Sequence, residues 1–490
     1  MNPVVPPEIN DLVAGEWAAC AAPLGFSLED PTTGRTHRAS VGSSAQRVEA
    51  ALAAADALAA WDATAAERAD VLDAVATSVE AEVPRIVARE AFATGVPISQ
   101  TSILGVILGG AFRLAAAQLR EGWLSTSMPR EDGRLAYVER LPWGPAACVV
   151  PWNAPAPMAA HKVANALAAG CPTILKPSEL APYGSERLAV AIDAALRTAG
   201  APAALFQLVH GDARAGAALV GDARIRAVSF TGGLVGGRAV AAYCARDVKP
   251  VQLELGGNNP LVVLPDAPTA DVARAAVDLL TTLNGQWCRA LGRLIVPADR
   301  ESEILDAIAA RLSTLVIGEP LDLGTQFGPL VHSKHRAAVA EARDALLAAG
   351  GRAIPSPAVP AEGNYLAPTL IAGVDPAHTR AEIFGPVAAV HSYRTIDEAV
   401  ALANGTDHGL EAYVFGDDTD AALAVARRIR AGEVKVNGSS IMSLHLFTPR
   451  PAWGLSGFSE EGTAETLRFF TNPRVVGVEN GFALHSPGPA

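Results

Sequence analysis

Residues 146–155 read AACVVPWNAP. A short apolar, partly β-branched run ends at a proline-bracketed turn holding Trp152 and Asn153, and the run has strand length rather than helix length. The pattern recurs along the chain: TIL before Lys176, AVSF before Thr231, LVVL after Pro260 and RLIV after Gly292. Between these runs lie Ala-rich stretches with scattered Arg, Asp and Glu. They span Ala45 to Val71, Arg187 to Ala199, Ala270 to Leu280 and His335 to Ala349, and they read as helices. Strands alternating with helices predict an α/β fold on a largely parallel sheet. PAVPAEG around Pro357 reads as a surface loop. The more polar segment Leu124 to Arg140 and the tail Phe469 to Val478 read either as projecting strands that join copies of the chain or as solvated hairpins.

With 490 residues the chain exceeds one ordinary core and predicts two or three packed units. Half of the residues are hydrophobic and 18% are charged, a globular balance. The formal net charge of −12 argues against a nucleic-acid surface, which needs clustered positive charge, but leaves room for a local basic pocket. MNPVVPPEIN has no basic segment followed by an apolar run, so no secretory signal is expected, and no run of about 18 apolar residues predicts a membrane span. Cys20, Cys148, Cys171, Cys244 and Cys288 are few, odd in number and widely spaced, with no zinc-ligand or CxxC pattern. They predict free thiols in a reducing, cytoplasmic compartment and no metal site.

Five motifs carry candidate chemistry. In GQWCRALGR, Gly285 to Arg293, Cys288 follows a turn-forming NGQ and precedes a strand. It is a buried filler or an exposed thiol whose ionisation the neighbouring Arg289 assists. In LELGG, Glu254 stands among apolar residues, where a carboxyl is either bonded to backbone amides or held at a raised pKa as a base. Asn153 caps a helix or donates to a developing oxyanion. LKPSE, Leu175 to Glu179, follows a strand and sits where strand ends face a ligand crevice, or is a solvated loop. FTGGLVGG, Phe230 to Gly237, places glycines at a strand-to-helix turn suited to phosphate, although GxGxxG is absent.

The order PWN, LKPSE, FTGG, LELGG, GQxC and EIFGPV (Glu382 to Val387) resembles the aldehyde dehydrogenase superfamily over nearly the whole chain. The resemblance implies a Rossmann-like dinucleotide-binding domain (residues 1–123 and 141–255), an α/β catalytic domain (256–445) and a small β oligomerisation arm (124–140 and 469–484). It implies Cys288 as nucleophile, Glu254 as general base, and Asn153 with the Cys288 amide as oxyanion donors. Lys176, Ser178 and Glu179 match the adenosine-ribose region. Gly232, Gly233 and Gly237 match the pyrophosphate turn, while Trp152, Glu382 and Phe384 match the nicotinamide side. The implied reaction is oxidation of an aldehyde to a carboxylic acid through a thiohemiacetal and a hydrolysed thioester, in a homodimer or homotetramer. Glu179 accepts from ribose hydroxyls and repels a 2′-phosphate, which predicts NAD, with NADP use left open by Lys176.

Departures from the family pattern bear on the substrate. Ala154 stands where an aromatic residue is usual, His161 where tryptophan is common, Arg289 where small residues are frequent, and Arg450 where a pocket phenylalanine is common. Gly233 replaces a serine. His161, Trp287, Arg289 and Arg450 are therefore expected to line the substrate tunnel, and its cations favour a small aldehyde bearing a carboxylate or phosphonate. Alternatively, Arg450 pairs with an acid such as Glu460, His161 is a neutral packing residue, and a bulky neutral or aromatic aldehyde stacks on Trp287 or Trp453. A CoA-acylating reaction is a further alternative, which Glu254 opposes.

Overall fold

The computed structural model describes residues 8–479. The SPGPA terminus and residues 480–484 of the expected arm lie outside them. Two sheets organise the chain. The first has eight strands, and its centre is a parallel run of Phe206–Leu208, Thr173–Pro177, Ala146–Val150, Ala227–Thr231 and Val251–Glu254. The expected strands at residues 146, 173, 227, 259 and 291 are all present. The register aligns Val150 with Pro177 and Thr231 with Glu254, so these strands end along one edge. That shared carboxyl edge carries Trp152, Asn153, Lys176, Glu179, Gly232 and Glu254, as expected for a ligand crevice of an open α/β sheet.

The second sheet runs Arg352–Ala353, Thr369–Ala372, Val387–Tyr393, Leu291–Pro297, Asn259–Val263, Glu411–Phe415 and Glu433–Val436. The chain crosses to it at Gly256–Asn258, so Glu254 and Cys288 meet from two different sheets. After Val436 it returns, and Gly457–Phe458 pairs antiparallel with Leu253 and Glu254.

The helix expected from Ala45 to Val71 is two helices, Ala45–Leu58 and Ala65–Thr94. Ala59 adopts φ 59° and ends the first. Thr64 and Glu67 form a reciprocal capping box that starts the second. Alanine propensity continues through this region, but the cap chemistry overrides it. Ile98–Arg120 is long and apolar enough by composition to cross a membrane. Its buried face packs on Ala65–Thr94 and Pro155–Ala169 in the main core, which accounts for that apolarity. Ser125–Pro129, Leu135–Pro142 and Thr471–Gly477 form a separate three-stranded sheet.

Candidate active site

A cavity of about 560 Å³ runs along the shared strand edge to Cys288. The loop that carries Cys288 is built by backbone conformation. Leu283, Asn284 and Gly285 all have positive φ (49°, 58° and 74°). A Cβ at Gly285 would lie 2.4 Å from Pro386 N, so only glycine fits there. The two non-glycine residues are held in this costly region by their neighbours. Asn284 donates to the Gly95 and Pro329 carbonyls and accepts from Gly328 N. Asn259 donates to the carbonyls of Cys288 and Ala290 at 2.9 and 2.8 Å. The NGQ turn thus holds the thiol rigidly.

Glu254 reaches the thiol from the end of Val251–Glu254, and the two side chains interact directly. Burial, then the field of Glu461, raises the Glu254 carboxyl to about 7. Burial and Glu254 push the Cys288 thiol well above its ordinary range, against the pull of Arg289 and Arg450. Asn153 sits in the turn between Ala146–Val150 and Pro155–Ala169, where Pro155 opens the helix. Its Nδ2 donates to the Gln286 carbonyl at 2.8 Å, which aims the amide at the Cys288 loop and leaves a second N–H for a ligand.

At the far end, the buried Lys176 lies 3.6 Å from Glu179, and both line the cavity with Ser178 and Asp212. Burial lowers the Lys176 pKa. Gly232 and Gly233 line the middle, where Gly233 begins Leu234–Arg246 without a side-chain cap and a Cβ on it would meet open space. Gly237 does not line the cavity. A Cβ there would lie 2.5 Å from Leu255, so this glycine serves helix–strand contact, while Gly236 takes the lining position. Nearer the thiol, Trp152 packs edge-on against Phe384 at 5.4 Å. Glu382 accepts from Gly257 N at 2.8 Å and burial raises its carboxyl to about 7. Gly256 makes room for it, since a Cβ would fall 1.9 Å from Glu382 Oε2.

The four expected substrate contacts divide. Arg450 lines the cavity, its Nε is buried without a partner, and its side chain makes no hydrogen bond or ion pair among the described residues. The acid nearby is Glu461, not Glu460, and it acts on Arg450 only through its field. Arg289 also borders the cavity, but its guanidinium is bound to Glu411 and to Glu433 Oε2 at 3.2 Å. It is neutralised from behind and is not a free anion grip, which corrects its assignment to the substrate. His161 does not line the cavity. It bonds Thr466 Oγ1 at 3.1 Å and burial lowers it to about 4, so it is a neutral packing residue. Trp287 is on the wall with Leu104, Ile107, Met158, Leu283 and Ile441, whereas Trp453 is largely exposed elsewhere.

Sequence reasoning missed Lys162, Glu461 and His335. Lys162 is fully buried and bridges Ser229 Oγ at 2.8 Å and Glu461 Oε1 at 2.5 Å. Burial would raise the Glu461 carboxyl, but Lys162 and His161 outweigh it and hold it at about 2. His335 lines the cavity 4.9 Å from Trp152, with a buried, unpartnered Nε2. The one sequence signal was Lys162 itself, the sole formally charged residue in the Ala-rich helix Pro155–Ala169.

Residues 17–476 match the family model described as Aldehyde dehydrogenase family. The chain is 32% identical over 482 residues to a hydroxyisobutyraldehyde dehydrogenase of Mycolicibacterium austroafricanum, covering 95% of this chain and 93% of that one. It is 35% identical over 382 residues to a geranial dehydrogenase of Castellaniella defragrans, covering 76% and 78%. Its fold superposes with TM-score 0.88 on a cysteine-to-alanine variant of an aldehyde dehydrogenase from Pseudomonas syringae complexed with NAD+ and octanal, at 31% identity and 96% coverage of each chain. With a thiol, a raised carboxyl and an amide donor at the end of one continuous cleft, and with these likenesses over nearly its full length, the chain belongs to the aldehyde dehydrogenase family.

Proposed function

We propose that the protein oxidises a small anionic aldehyde to its carboxylic acid, using Cys288, Glu254 and Asn153 as catalytic residues. The observation that carries this reading is the convergence of those three groups at the end of the cleft. Glu254 draws the proton from Cys288, and the thiolate attacks the aldehyde carbon to form a thiohemiacetal. The free Asn153 N–H and the Cys288 amide stabilise the oxygen that gains charge. Hydride loss converts the adduct to a thioester. Glu254 releases the proton it took from Cys288 to solvent and then removes a proton from water as that water attacks the thioester; the acid leaves, and Glu254 returns its proton to the departing thiolate, restoring the thiol. This role for Glu254 opposes transfer of the acyl group to CoA.

The cleft suits a dinucleotide. Lys176, Ser178 and Glu179 offer a ribose end, the uncapped helix start at Gly233 offers a pyrophosphate turn, and Trp152, Glu382 and Phe384 frame the approach to the thiol. NAD+ bound there supplies the hydride acceptor. The Glu179 carboxylate disfavours a 2′-phosphate, so NAD+ is the preferred cofactor, with Lys176 leaving some NADP+ use open. Residues 1–123 and 141–255 form the cofactor unit and 256–445 the catalytic unit. The arm of residues 124–140 and 469–484 joins copies into a dimer or tetramer in the cytoplasm.

For the substrate, the half-buried cation of Arg450, which has no ion pair among the described residues, is the main guide. A partly desolvated charge without a partner favours an anionic ligand. Arg450 acts through its field on both Cys288 and Glu254. The anionic group therefore belongs within a few bonds of the aldehyde, as in a short semialdehyde. The apolar wall of Leu104, Ile107, Met158 and Trp287 favours a second reading, a bulky neutral or aromatic aldehyde. The test is a kinetic panel of aldehydes differing in charge and size, with NAD+ and NADP+ in parallel and CoA added. Acid product with NAD+ and highest kcat/KM for anionic aldehydes is expected. Acyl-CoA formation, NADP+ preference or preference for neutral aldehydes would each overturn the corresponding part.

A further inference from the structure

Behind the nucleophile lies a group of four charged side chains that the reaction above does not use. Glu411 and Glu433 stand directly opposite each other on adjacent parallel strands, and Tyr413 stands opposite Lys435. Residues two apart on a strand share a face, so all four point the same way. Their relative exposures are 1% for Glu411, 9% for Glu433, 3% for Lys435 and 4% for Arg289. Two carboxylates in direct cross-strand register repel, and burying them without cations is costlier still. Arg289 lies between them. Lys435 lies 2.5 Å from Glu411 Oε1 and 4.0 Å from Glu433 Oε2. The close approach to Glu411 is an ion pair without the direction of a hydrogen bond. The formal charges of the four sum to zero.

The same side chains hold the tunnel wall. Lys435 donates to the Ser440 carbonyl at 2.7 Å, and Glu433 accepts from Leu444 N at 2.8 Å. The segment between carries Ile441, which lines the cavity. Tyr413 donates to the Arg289 carbonyl at 2.9 Å, fixing the residue next to the thiol from the same face.

We propose that the Arg289–Glu411–Glu433–Lys435 array is an electrostatic positioning device whose balance of charge sets the ionisation of Cys288, while fastening the tunnel wall at Ser440 and Leu444 to the nucleophile loop. The groups facing the thiol are Glu254, Arg289 and Arg450, with the Tyr413 hydroxyl behind. Lys162 and Glu461 bear on Glu254 from the first sheet. Of these, Arg289 alone is backed by the array. Removing a cation from the array leaves an excess negative charge in a buried setting and disfavours the thiolate. Removing an anion does the reverse. A purely structural scaffold would not give opposite signs.

The inference rests on Cys288 as the reactive thiol, and the test separates the two. The rate of Cys288 alkylation by iodoacetamide is measured against pH in the full-length protein, with the labelled cysteine identified by peptide mapping. Lys435→Met is expected to slow alkylation at neutral pH by about an order of magnitude, and Glu433→Gln, which keeps an acceptor for Leu444 N, to speed it by a similar factor. Lys435→Arg restores the rate. Should Lys435→Met fail to fold, the sign of the Glu433→Gln effect decides alone. Unchanged rates, or shifts of the same sign in both variants, overturn the array's role. Aldehyde oxidation surviving in Cys288→Ala would instead overturn the catalytic assignment, whatever the alkylation rates.

Discussion

Replacing Arg450 by methionine tests the substrate reading most sharply. The guanidinium is half-buried with its Nε fully covered, borders the cavity and has no hydrogen-bond or ion-pair partner among the described residues, so an arriving anion would be its first direct partner. Methionine keeps much of the length and apolar volume without the charge. Losing one partner of a buried, hydrogen-bonded charge pair costs about 2–5 kcal/mol. At about 3 kcal/mol, kcat/KM for a short aldehyde ending in a carboxylate should fall roughly a hundredfold. The methyl ester of the same aldehyde, with no charge to lose, should change by less than about threefold. The unliganded protein should lose no stability, because the half-buried guanidinium has no partner among the described residues to lose. The assay pairs steady-state NADH formation on acid and ester with thermal melting. Equal losses on acid and ester would refute the reasoning, since they would mark general tunnel damage. So would a lowered melting midpoint, which would mean that Arg450 has a structural partner.

Glu254→Gln should lower steady turnover by about 10²–10⁴-fold; full turnover would exclude Glu254 as the catalytic base. Because burial and Glu461 place Glu254 at about 7 and the base works deprotonated, kcat should fall about tenfold per pH unit below that value and level above it. Rapid-mixing measurements across pH should find this acid limb missing in whatever activity Glu254→Gln retains. Gly256→Ala would push a methyl group into Glu382, loosening its bond from Gly257 N. The KM for NAD+ should rise about tenfold, the scale of one charge-assisted hydrogen bond, and an unchanged KM would show that Glu382 does not hold the cofactor.

Much of the fold was legible because strand and helix signals are local. The run AACVV before Pro151 forms the strand Ala146–Val150, and NGQ forms the turn that presents the thiol. The break between Ala45–Leu58 and Ala65–Thr94 was missed because alanine content continues through it, whereas the capping box from Thr64 to Glu67 fixes where the second helix begins. Of the site, Asn153, Glu254 and Cys288 lie in motifs whose local pattern already suggested chemistry. Glu411, Glu433 and Lys435 left only a faint trace, a charge at the start of EAYVF and two charges in alternation with valines in EVKV.

The sequence by itself determined the alternating architecture and the order of the motifs that carry the family resemblance, since each is written in a short stretch of chain. Which of the departures borders the cavity without a partner among the described residues was decided by the tertiary structure. Arg289 and Arg450 read alike in one dimension, yet one is neutralised by glutamates more than a hundred residues away and the other is left unpaired. His161 looked like a third cation and is bound to Thr466 in a site that keeps it neutral. The charge a side chain presents depends on what long-range packing sets against it, and sequence spacing does not carry that information.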